Sequence, residues 1–227
     1  MKKKKVRALI EEVGIVPVVR CASPEEARIA AEAVAKGGIP IVEITMTVPG
    51  ALEVISELVK TMPELLVGAG TVLNKKMAEK CADAGAQFLV TPGFAKPVVT
   101  AAGKLDLIIM AGALTPTEVM AAWDAGVDFV KIFPCANVGG ASYIKALRGP
   151  LPEVPLVPTG GINLETAADY IRAGSAALGI GGELVSKKAL QERTPEVISE
   201  LAVRYVETVR EARQPTTAKV EPASNAR

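Results

Sequence analysis

A single lysine interrupts a short apolar segment that reads Phe129-Val130-Lys131-Ile132-Phe133-Pro134. A run of large apolar residues of this length, preceded by Gly126, is typical of a buried strand. An ammonium group inside such a strand is costly unless it is paired or neutralised. The segment therefore predicts a buried strand that carries one functional charge, Lys131.

The pattern of a helix end, a glycine and an apolar strand recurs along the chain. It is found at Ala84-Gly85-Ala86 before residues 88–91, at Ala125-Gly126-Val127 before residues 129–133, and at Ala173-Gly174-Ser175 before residues 176–180. Further apolar segments lie between these units, and helical patterns connect them. Near-continuous apolar strands that alternate with helices predict a parallel sheet covered on both faces.

About eight such strand–helix units can be counted, which is the number that closes a (β/α)8 TIM barrel. We expect this α/β barrel to form a single domain over residues 1–213. A doubly wound open sheet is the alternative, but no Gly-x-Gly-x-x-Gly motif follows the first strand, residues 14–19.

Both ends of the chain lie outside the repeated units. The charged opening, Lys2 to Glu12, predicts a helix before the first strand, and an amphipathic pattern predicts a last helix from Thr194 to Arg213. Ser23 is a candidate N-cap of the helix after the first strand, with Glu26 completing a capping box. Residues 214–227 are polar and rich in Pro, Thr and Ala, which predicts a disordered tail.

The composition argues against several functional classes. The chain has 227 residues, a net charge of +1 and 4% aromatic residues, which gives no support for nucleic-acid binding. The apolar residues 6–10 are soon interrupted by Glu11 and Glu12, and no stretch approaches the length of a membrane span. We therefore expect a cytoplasmic protein that acts on a small molecule and binds neither nucleic acid nor membrane.

The chain contains no histidine. This excludes a histidine general base, a His-Asp triad and every histidine metal site. The cysteines, Cys21, Cys81 and Cys135, are widely spaced and fit buried reduced thiols better than a disulfide or a zinc site. Acid–base and nucleophilic chemistry must therefore come from Lys, Glu, Asp, Tyr or Cys side chains.

Two residues of opposite charge are predicted to enter the barrel interior from different strands. Side chains alternate in and out along a strand, so Glu43 shares a face with Ile41 and Thr45, and Lys131 shares a face with residues 129 and 133. A structural ion pair is the alternative interpretation, but buried pairs stabilise poorly compared with apolar packing. A free lysine amine forms a Schiff base with carbonyls, and Glu43 would be the general base.

Glycine-rich segments close three of the predicted strands and could supply backbone N–H donors. They are Gly68-Ala69-Gly70-Thr71, Gly160-Gly161 and Gly181-Gly182. The loops after strands seven and eight form the usual phosphate site of such barrels, although plain turn chemistry is the alternative. Arg20 ends the first strand and could hold a carboxylate or a phosphate, and Thr71 and Thr159 could donate hydrogen bonds to a carboxylate.

Three further residues are weaker candidates. Tyr143 could reach the mouth of the barrel, and Trp123 is expected to pack on a helix. Cys135 follows the strand of Lys131, but no general base partners its thiol in the sequence.

Five segments together resemble the KDPG/KHG aldolases, which cleave 2-keto-3-deoxy-6-phosphogluconate (KDPG) or 4-hydroxy-2-oxoglutarate (KHG). The segments are Val42-Glu43-Ile44-Thr45, Val67-Gly68-Ala69-Gly70-Thr71-Val72, Thr91-Pro92-Gly93, Val130-Lys131-Ile132-Phe133-Pro134 and Pro158-Thr159-Gly160-Gly161-Ile162. The resemblance spans about residues 14–185, nearly the whole predicted barrel. No single segment is specific, but the combination is.

The resemblance implies a class I, Schiff-base aldolase that needs no metal or cofactor, usually as a homotrimer, with a place in the Entner–Doudoroff pathway. It implies that Lys131 is the Schiff-base lysine and that Glu43 transfers protons. It puts Thr71 at the carboxylate derived from pyruvate. It also implies that the pocket is lined by Pro92, Phe133 and Thr159.

Two positions depart from the family pattern. Some members carry an arginine where this chain has Thr47, so carboxylate binding would fall to Arg20. Many members have a phosphate-binding serine where this chain has Gly182, and Glu183 follows it. Backbone N–H groups of Gly181 and Gly182 could still bind phosphate, but an inward Glu183 would oppose it.

We expect a lyase that cleaves KDPG to pyruvate and glyceraldehyde 3-phosphate, KHG to pyruvate and glyoxylate, or both. One alternative is a barrel that isomerises or epimerises a sugar phosphate by proton abstraction at Glu43, with Lys131 as an electrostatic group. The other is a trimeric barrel that serves as a non-catalytic scaffold.

Overall fold

The computed structural model describes residues 1–214, in which eight strands alternate with helices. The strands are β1 (Ile15–Val19), β2 (Ile41–Thr45), β3 (Leu66–Gly70), β4 (Phe88–Val90), β5 (Ile108–Ala113), β6 (Phe129–Ile132), β7 (Leu156–Pro158) and β8 (Leu178–Ile180). The helices are α1 (Lys3–Val13), α2 (Pro24–Lys36), α3 (Ala51–Thr61), α4 (Lys75–Asp83), α5 (Lys96–Lys104), α6 (Pro116–Asp124), α7 (Ala141–Arg148), α8 (Ala167–Arg172), α9 (Lys187–Gln191) and α10 (Pro195–Ala212). Apart from residue 214, the predicted disordered tail lies outside the described residues.

The strands form one parallel sheet that closes on itself. Each strand pairs with its neighbours in chain order from β1 to β7, and β8 pairs with β1. The circle closes through a parallel bridge between Thr159, just after β7, and Gly179 of β8. The predicted (β/α)8 barrel is therefore confirmed, and the open-sheet alternative is wrong.

Burial explains why these strands are apolar throughout. Every residue of all eight strands is buried, because the barrel interior covers one face and the helices cover the other. The buried polar side chains are few. They are Glu43, Thr45, Thr91, Lys131 and Thr159, and most lie at the carboxyl ends of strands.

The predicted start of α2 is confirmed, but its capping box is incomplete. The hydroxyl of Ser23 accepts the N–H of Glu26 as expected, but the Glu26 carboxylate accepts the N–H of Ala22 instead of that of Ser23. The complete capping box lies at α6, where Thr115 and Glu118 exchange hydrogen bonds. The predicted terminal helices are present within about two residues of their expected bounds, while α9 had not been expected.

The amino-terminal end of the barrel is closed by α1. Val6 and Ile10 of α1 are buried, and Arg213 after α10 donates hydrogen bonds to the carbonyls of Glu11 and Glu12. At the opposite end the described residues line a cavity. Among residues 1–214 no helix has the length and apolar character to span a membrane.

Candidate functional site

A cavity of about 270 Å³ opens at the carboxyl ends of the strands. Its walls come from the ends of six strands and the loops that follow them. The lining residues are Val18, Arg20, Thr71, Pro92, Lys131, Phe133, Thr159, Gly160, Gly161, Ile162, Gly179, Gly181, Gly182 and Glu183. All of the predicted substrate-binding residues therefore share one cavity with Lys131, in the position where barrel enzymes carry their sites.

Lys131 enters the cavity from the middle of the barrel wall. It lies opposite Gly112 of β5 and Val157 of β7, is 7% exposed, and directs its Nζ over the ring of Phe133 at 5.3 Å from the centroid. Gly112 has a steric reason to be glycine, since a Cβ there would meet the carbonyl carbon of Pro92 at 2.3 Å. The amine is thus held at the floor of a cavity with an aromatic wall.

Glu43 is buried beside the cavity without being satisfied. It is 2% exposed, and its Oε1 has no hydrogen-bond partner among the described residues. Gly70 on the neighbouring strand leaves the space for this carboxylate, because a Cβ there would lie 1.8 Å from Oε1. A buried acceptor without a donor is uncommon and asks for a functional explanation.

Burial raises the pKa of Glu43, against the opposing effects of the positive charges of Lys131 and Arg20. The ion pairs between described residues do not include Glu43 with Lys131, so their charged atoms are more than 4.0 Å apart. The two groups therefore act on each other at longer range and do not form a structural ion pair.

Thr71 lines the cavity with a strained backbone. It follows β3 with a φ of 57°, a left-handed conformation that β-branched residues rarely adopt. Strain of this kind persists where the surroundings over-determine it, and it is frequent at functional sites. Thr159, on the opposite wall, is 6% exposed. Its hydroxyl oxygen packs closely on Gly179, because a Cβ there would lie 2.2 Å from it.

The glycine segments after β7 and β8 differ from each other. Gly160 and Gly161 have φ values of 94° and 76°, and a Cβ on Gly161 would meet that of Ala136 at 2.4 Å, so both positions require glycine. A Cβ on Gly181 or Gly182 would meet no atom within 4 Å, so these two residues face open space. The first pair fixes the loop, and the second leaves room at the mouth.

The weaker candidates lie outside the cavity lining. The Tyr143 hydroxyl donates a hydrogen bond to the carbonyl of Leu114. Burial raises the pKa of the Cys135 thiol to about 11, and a hydrogen bond with Tyr170 opposes this effect. Because the thiol stays protonated at neutral pH, Cys135 is a poor nucleophile. Trp123 is half-buried against the core, as expected.

Four lining residues were not among the predicted site residues. They are Val18, Ile162, Gly179 and Glu183. Val18 could have been found, because it lies two residues before Arg20, which directly follows β1, and side chains two residues apart in an extended chain share a face. Ile162 and Gly179 reach the cavity through loop geometry and strand pairing, which leave no local pattern.

The fold and the cavity together define a (β/α)8-barrel enzyme with its site at the carboxyl ends of the strands. Residues 6–201 match the family model described as KDPG and KHG aldolase. The chain belongs to this family of aldehyde-lyases. Within residues 1–214, no three or more His, Cys, Asp or Glu side chains cluster as metal ligands.

Known relatives cover most of the chain. The KHG/KDPG aldolase of Escherichia coli K12 is 34% identical over 206 residues, which are 90% of this chain and 96% of that protein. The KDPG aldolase of Legionella pneumophila, captured with pyruvate as a covalent carbinolamine, has a TM-score of 0.81 and 31% identity over 87% of this chain and 96% of its own. A designed cube-shaped cage made by fusing symmetric oligomeric domains has the same TM-score and identity, over 88% of this chain and 73% of its own.

Proposed function

We propose that this chain cleaves 2-keto-4-hydroxy acids through a Schiff base on Lys131, with KDPG, KHG or both as substrates. The observation that carries the proposal is a buried amine, Lys131, that lines the cavity, together with a buried, unsatisfied carboxylate, Glu43, that does not line it but lies close enough for Lys131 to act on its pKa. The Legionella relative holds pyruvate as a carbinolamine, which is the adduct of an amine with a ketone. Lysine amines form such adducts with carbonyl substrates.

The reaction begins when the Lys131 amine attacks the C2 ketone and forms a carbinolamine. Loss of water gives an iminium, which is the electron sink for the next step. The C3–C4 bond breaks as the C4 hydroxyl loses its proton. The electron pair of the C3–C4 bond forms the double bond of an enamine, and the iminium nitrogen becomes neutral. The aldehyde leaves, the enamine is protonated at C3, and hydrolysis returns pyruvate and the free amine of Lys131.

Glu43 moves the protons in this scheme. Its carboxylate takes the C4 hydroxyl proton, directly or through a water, and then returns a proton to C3 of the enamine. A group that must both accept and donate works best with a pKa near the working pH. Burial raises the pKa of Glu43 in that direction. The unpaired Oε1 leaves an acceptor free for the substrate or the water.

The remaining cavity residues bind the substrate. Thr71 and Arg20 hold the carboxylate next to the reacting ketone. Arg20 supplies the positive charge that other members carry at the position of Thr47, which is short and uncharged. Pro92, Phe133 and Thr159 form the walls around Lys131. The N–H groups of the glycine segments after β7 and β8 hold the far end of the substrate. These segments are Gly160-Gly161 and Gly181-Gly182.

Trapping with borohydride tests this proposal. Reduction in the presence of pyruvate should fix pyruvate to Lys131, as seen by peptide mass spectrometry. Lys131→Met should lose the label and lower pyruvate release by roughly a thousandfold or more while the fold stays intact. Lys145→Met, which removes an exposed lysine on α7, is the control and should keep both. A label on another lysine, or unchanged pyruvate release by Lys131→Met, would sink the proposal.

The chain further acts as a cytoplasmic homotrimer, with residues 1–213 as its single catalytic domain. The family resemblance supports the trimer, and the related cage was built from symmetric oligomeric domains. Light scattering on a sizing column should give three times the chain mass of 23.6 kDa. A mass of one or two chains would contradict the trimer without touching the aldolase chemistry.

A further inference from the structure

Charge is unevenly distributed around the cavity. Its charged lining residues are Arg20, Lys131 and Glu183. The two cations lie close enough to Glu43 to act on its titration. The carboxylate of Glu183 follows β8, next to the segment Gly181-Gly182 that faces open space. One wall of the cavity thus adds a negative charge where the far end of a substrate would lie.

Among residues 1–214, no cation lies within ion-pair distance of Glu183. Its negative charge also acts on the hydroxyl of Tyr205 of α10, whose pKa burial raises to about 12 with Glu183 adding to the effect and Arg204 opposing it. Glu183 is exposed, so solvent screens part of its charge, but an anionic group that binds at the same wall of the cavity is still repelled by it.

The same wall offers hydrogen-bond donors beside this acceptor. The N–H groups of Gly182 and Glu183 donate to no backbone carbonyl in the described part of the chain. A phosphate dianion can accept from these N–H groups, but it cannot donate to a carboxylate and is repelled by it. A hydroxyl group does both, since it accepts from an N–H and donates to a carboxylate.

We infer that Glu183 is a specificity-determining residue that favours 2-keto-4-hydroxy acids with an uncharged, hydroxylated tail over those with a phosphate tail. The inference rests on the proposed function, because it assumes that the keto end of the substrate lies at Lys131. It deepens that function by naming the chemistry that the β8 side of the cavity recognises.

The test compares two substrates that differ only in the phosphate: KDPG and its unphosphorylated analogue 2-keto-3-deoxygluconate. Glu183→Gln keeps the shape of the side chain and removes its charge. We expect this variant to raise the ratio of kcat/KM for KDPG to kcat/KM for the analogue by roughly tenfold, the size of one removed like-charge contact near a protein surface. The gain should appear as a lower KM for KDPG.

Two control variants separate the local charge from other effects. Glu183→Asp keeps the carboxylate and should keep the wild-type ratio within about threefold. Glu165→Gln changes the net charge equally at an exposed residue of the β7–α8 loop that does not line the cavity, and it should leave the ratio unchanged. A ratio in Glu183→Gln that stays within twofold of wild type, or that falls, would overturn the inference.

A binding measurement keeps the two proposals distinguishable. Glycerol 3-phosphate carries a phosphate tail but cannot react, so its dissociation constant does not depend on the Schiff-base chemistry. Calorimetric titration should show roughly tenfold tighter binding to Glu183→Gln than to wild type, and equal affinities would refute the role of Glu183. If the wild-type protein cleaves none of these keto acids but the two proteins still differ in affinity for glycerol 3-phosphate, the proposed reaction is refuted and the role of Glu183 is not.

Discussion

The two ends of the barrel differ in how their polar groups are treated. At the amino-terminal end, Lys3 of α1 pairs with Asp128 at 2.9 Å, and the same carboxylate oxygen accepts the N–H of Ile109 at 2.9 Å. Arg213 donates to carbonyls near the end of α1 and in the loop just before β8. Charged side chains there bind backbone groups and one another, and α1 covers this end of the barrel.

The carboxyl end leaves comparable groups unused. Glu43 keeps a buried oxygen without a donor, and Thr71 keeps a strained backbone. Such features each cost about 1–3 kcal/mol in a folded protein. The amino-terminal end has similar features, since the buried Oγ of Ser175 has no partner among the described residues and the exposed Asp106 has a φ of 53°. The carboxyl end differs because its unpaired atom belongs to a buried carboxylate and its strained residue lines the cavity. We infer that this barrel keeps its chemistry at the open end.

Glu43→Gln is the variant expected to have the largest effect at the open end. A proton-transfer role predicts a fall in kcat of roughly 10²–10⁴-fold, measured as pyruvate release. Because burial raises the pKa of Glu43 in the folded state, wild-type stability decreases as pH rises from the unfolded pKa through the folded one. The amide does not titrate, so the variant should become more stable than wild type across that window and lose its advantage in acid.

An exposed glutamate provides the control for this prediction. Glu153→Gln, in the α7–β7 loop, should change neither kcat nor the pH dependence of thermal unfolding. If Glu43→Gln were less stable than wild type at neutral pH, the carboxylate would be a structural anchor, and the two ends of the barrel would not differ as described.

A substitution at the sealed, amino-terminal end should lower stability and leave activity unchanged. Ile10→Ala in α1 removes a fully buried side chain and should lower the free energy of unfolding by about 3 kcal/mol. Because Ile10 lies at the end away from the cavity, kcat/KM should stay within about twofold of wild type. Val203→Ala, at a residue 45% exposed on α10, should change neither quantity. A large loss of activity in folded Ile10→Ala would show that the ends are coupled.

The strand–helix repeat and the buried lysine were readable because both are local. A glycine between helix and apolar strand at several places, and further apolar segments between these places, predicted about eight parallel units without knowledge of their pairing. Lys131 and Glu43 stood out because a charge within an apolar strand breaks the pattern around it. The closing bridge between Thr159 and Gly179 could not be read, since closure depends on residues distant in the chain.

The glycines of β3 show where interpretation from sequence was incomplete. Gly68 and Gly70 were interpreted as donors at a strand end, but the structure gives them a steric role. A Cβ on Gly68 would meet the ring of Phe88 at 2.3 Å, and one on Gly70 would overlap the carboxylate of Glu43. The positive φ of Thr71 is likewise imposed by the tertiary structure, because no β-branched residue prefers it.

Gly70→Ala tests the steric role with a moderate expected effect. The added methyl group must push the Glu43 carboxylate aside, and a displacement of about 1 Å in a catalytic group can lower kcat by up to roughly a hundredfold. The pH profile of kcat should shift as well, because the environment of the carboxylate changes. Gly103→Ala in α5, where a Cβ meets nothing within 4 Å, is the control and should keep full activity. An unchanged pH profile in Gly70→Ala would mean that Glu43 has other room to occupy.

The smallest effect concerns the backbone of Thr71. Thr71→Gly and Thr71→Ala both remove the hydroxyl, so both should raise KM for the keto acid by roughly tenfold if that hydroxyl binds the carboxylate. They differ in strain, since glycine adopts a φ of 57° freely and alanine does not. The left-handed conformation costs alanine about 1–2 kcal/mol, which exceeds the extra unfolded-state entropy of glycine. Thr71→Gly should therefore be the more stable variant by about 0.5–1 kcal/mol in chemical denaturation. If alanine were the more stable, the backbone of Thr71 would not be strained, and the cavity lining would contain no strained residue of this kind among those described.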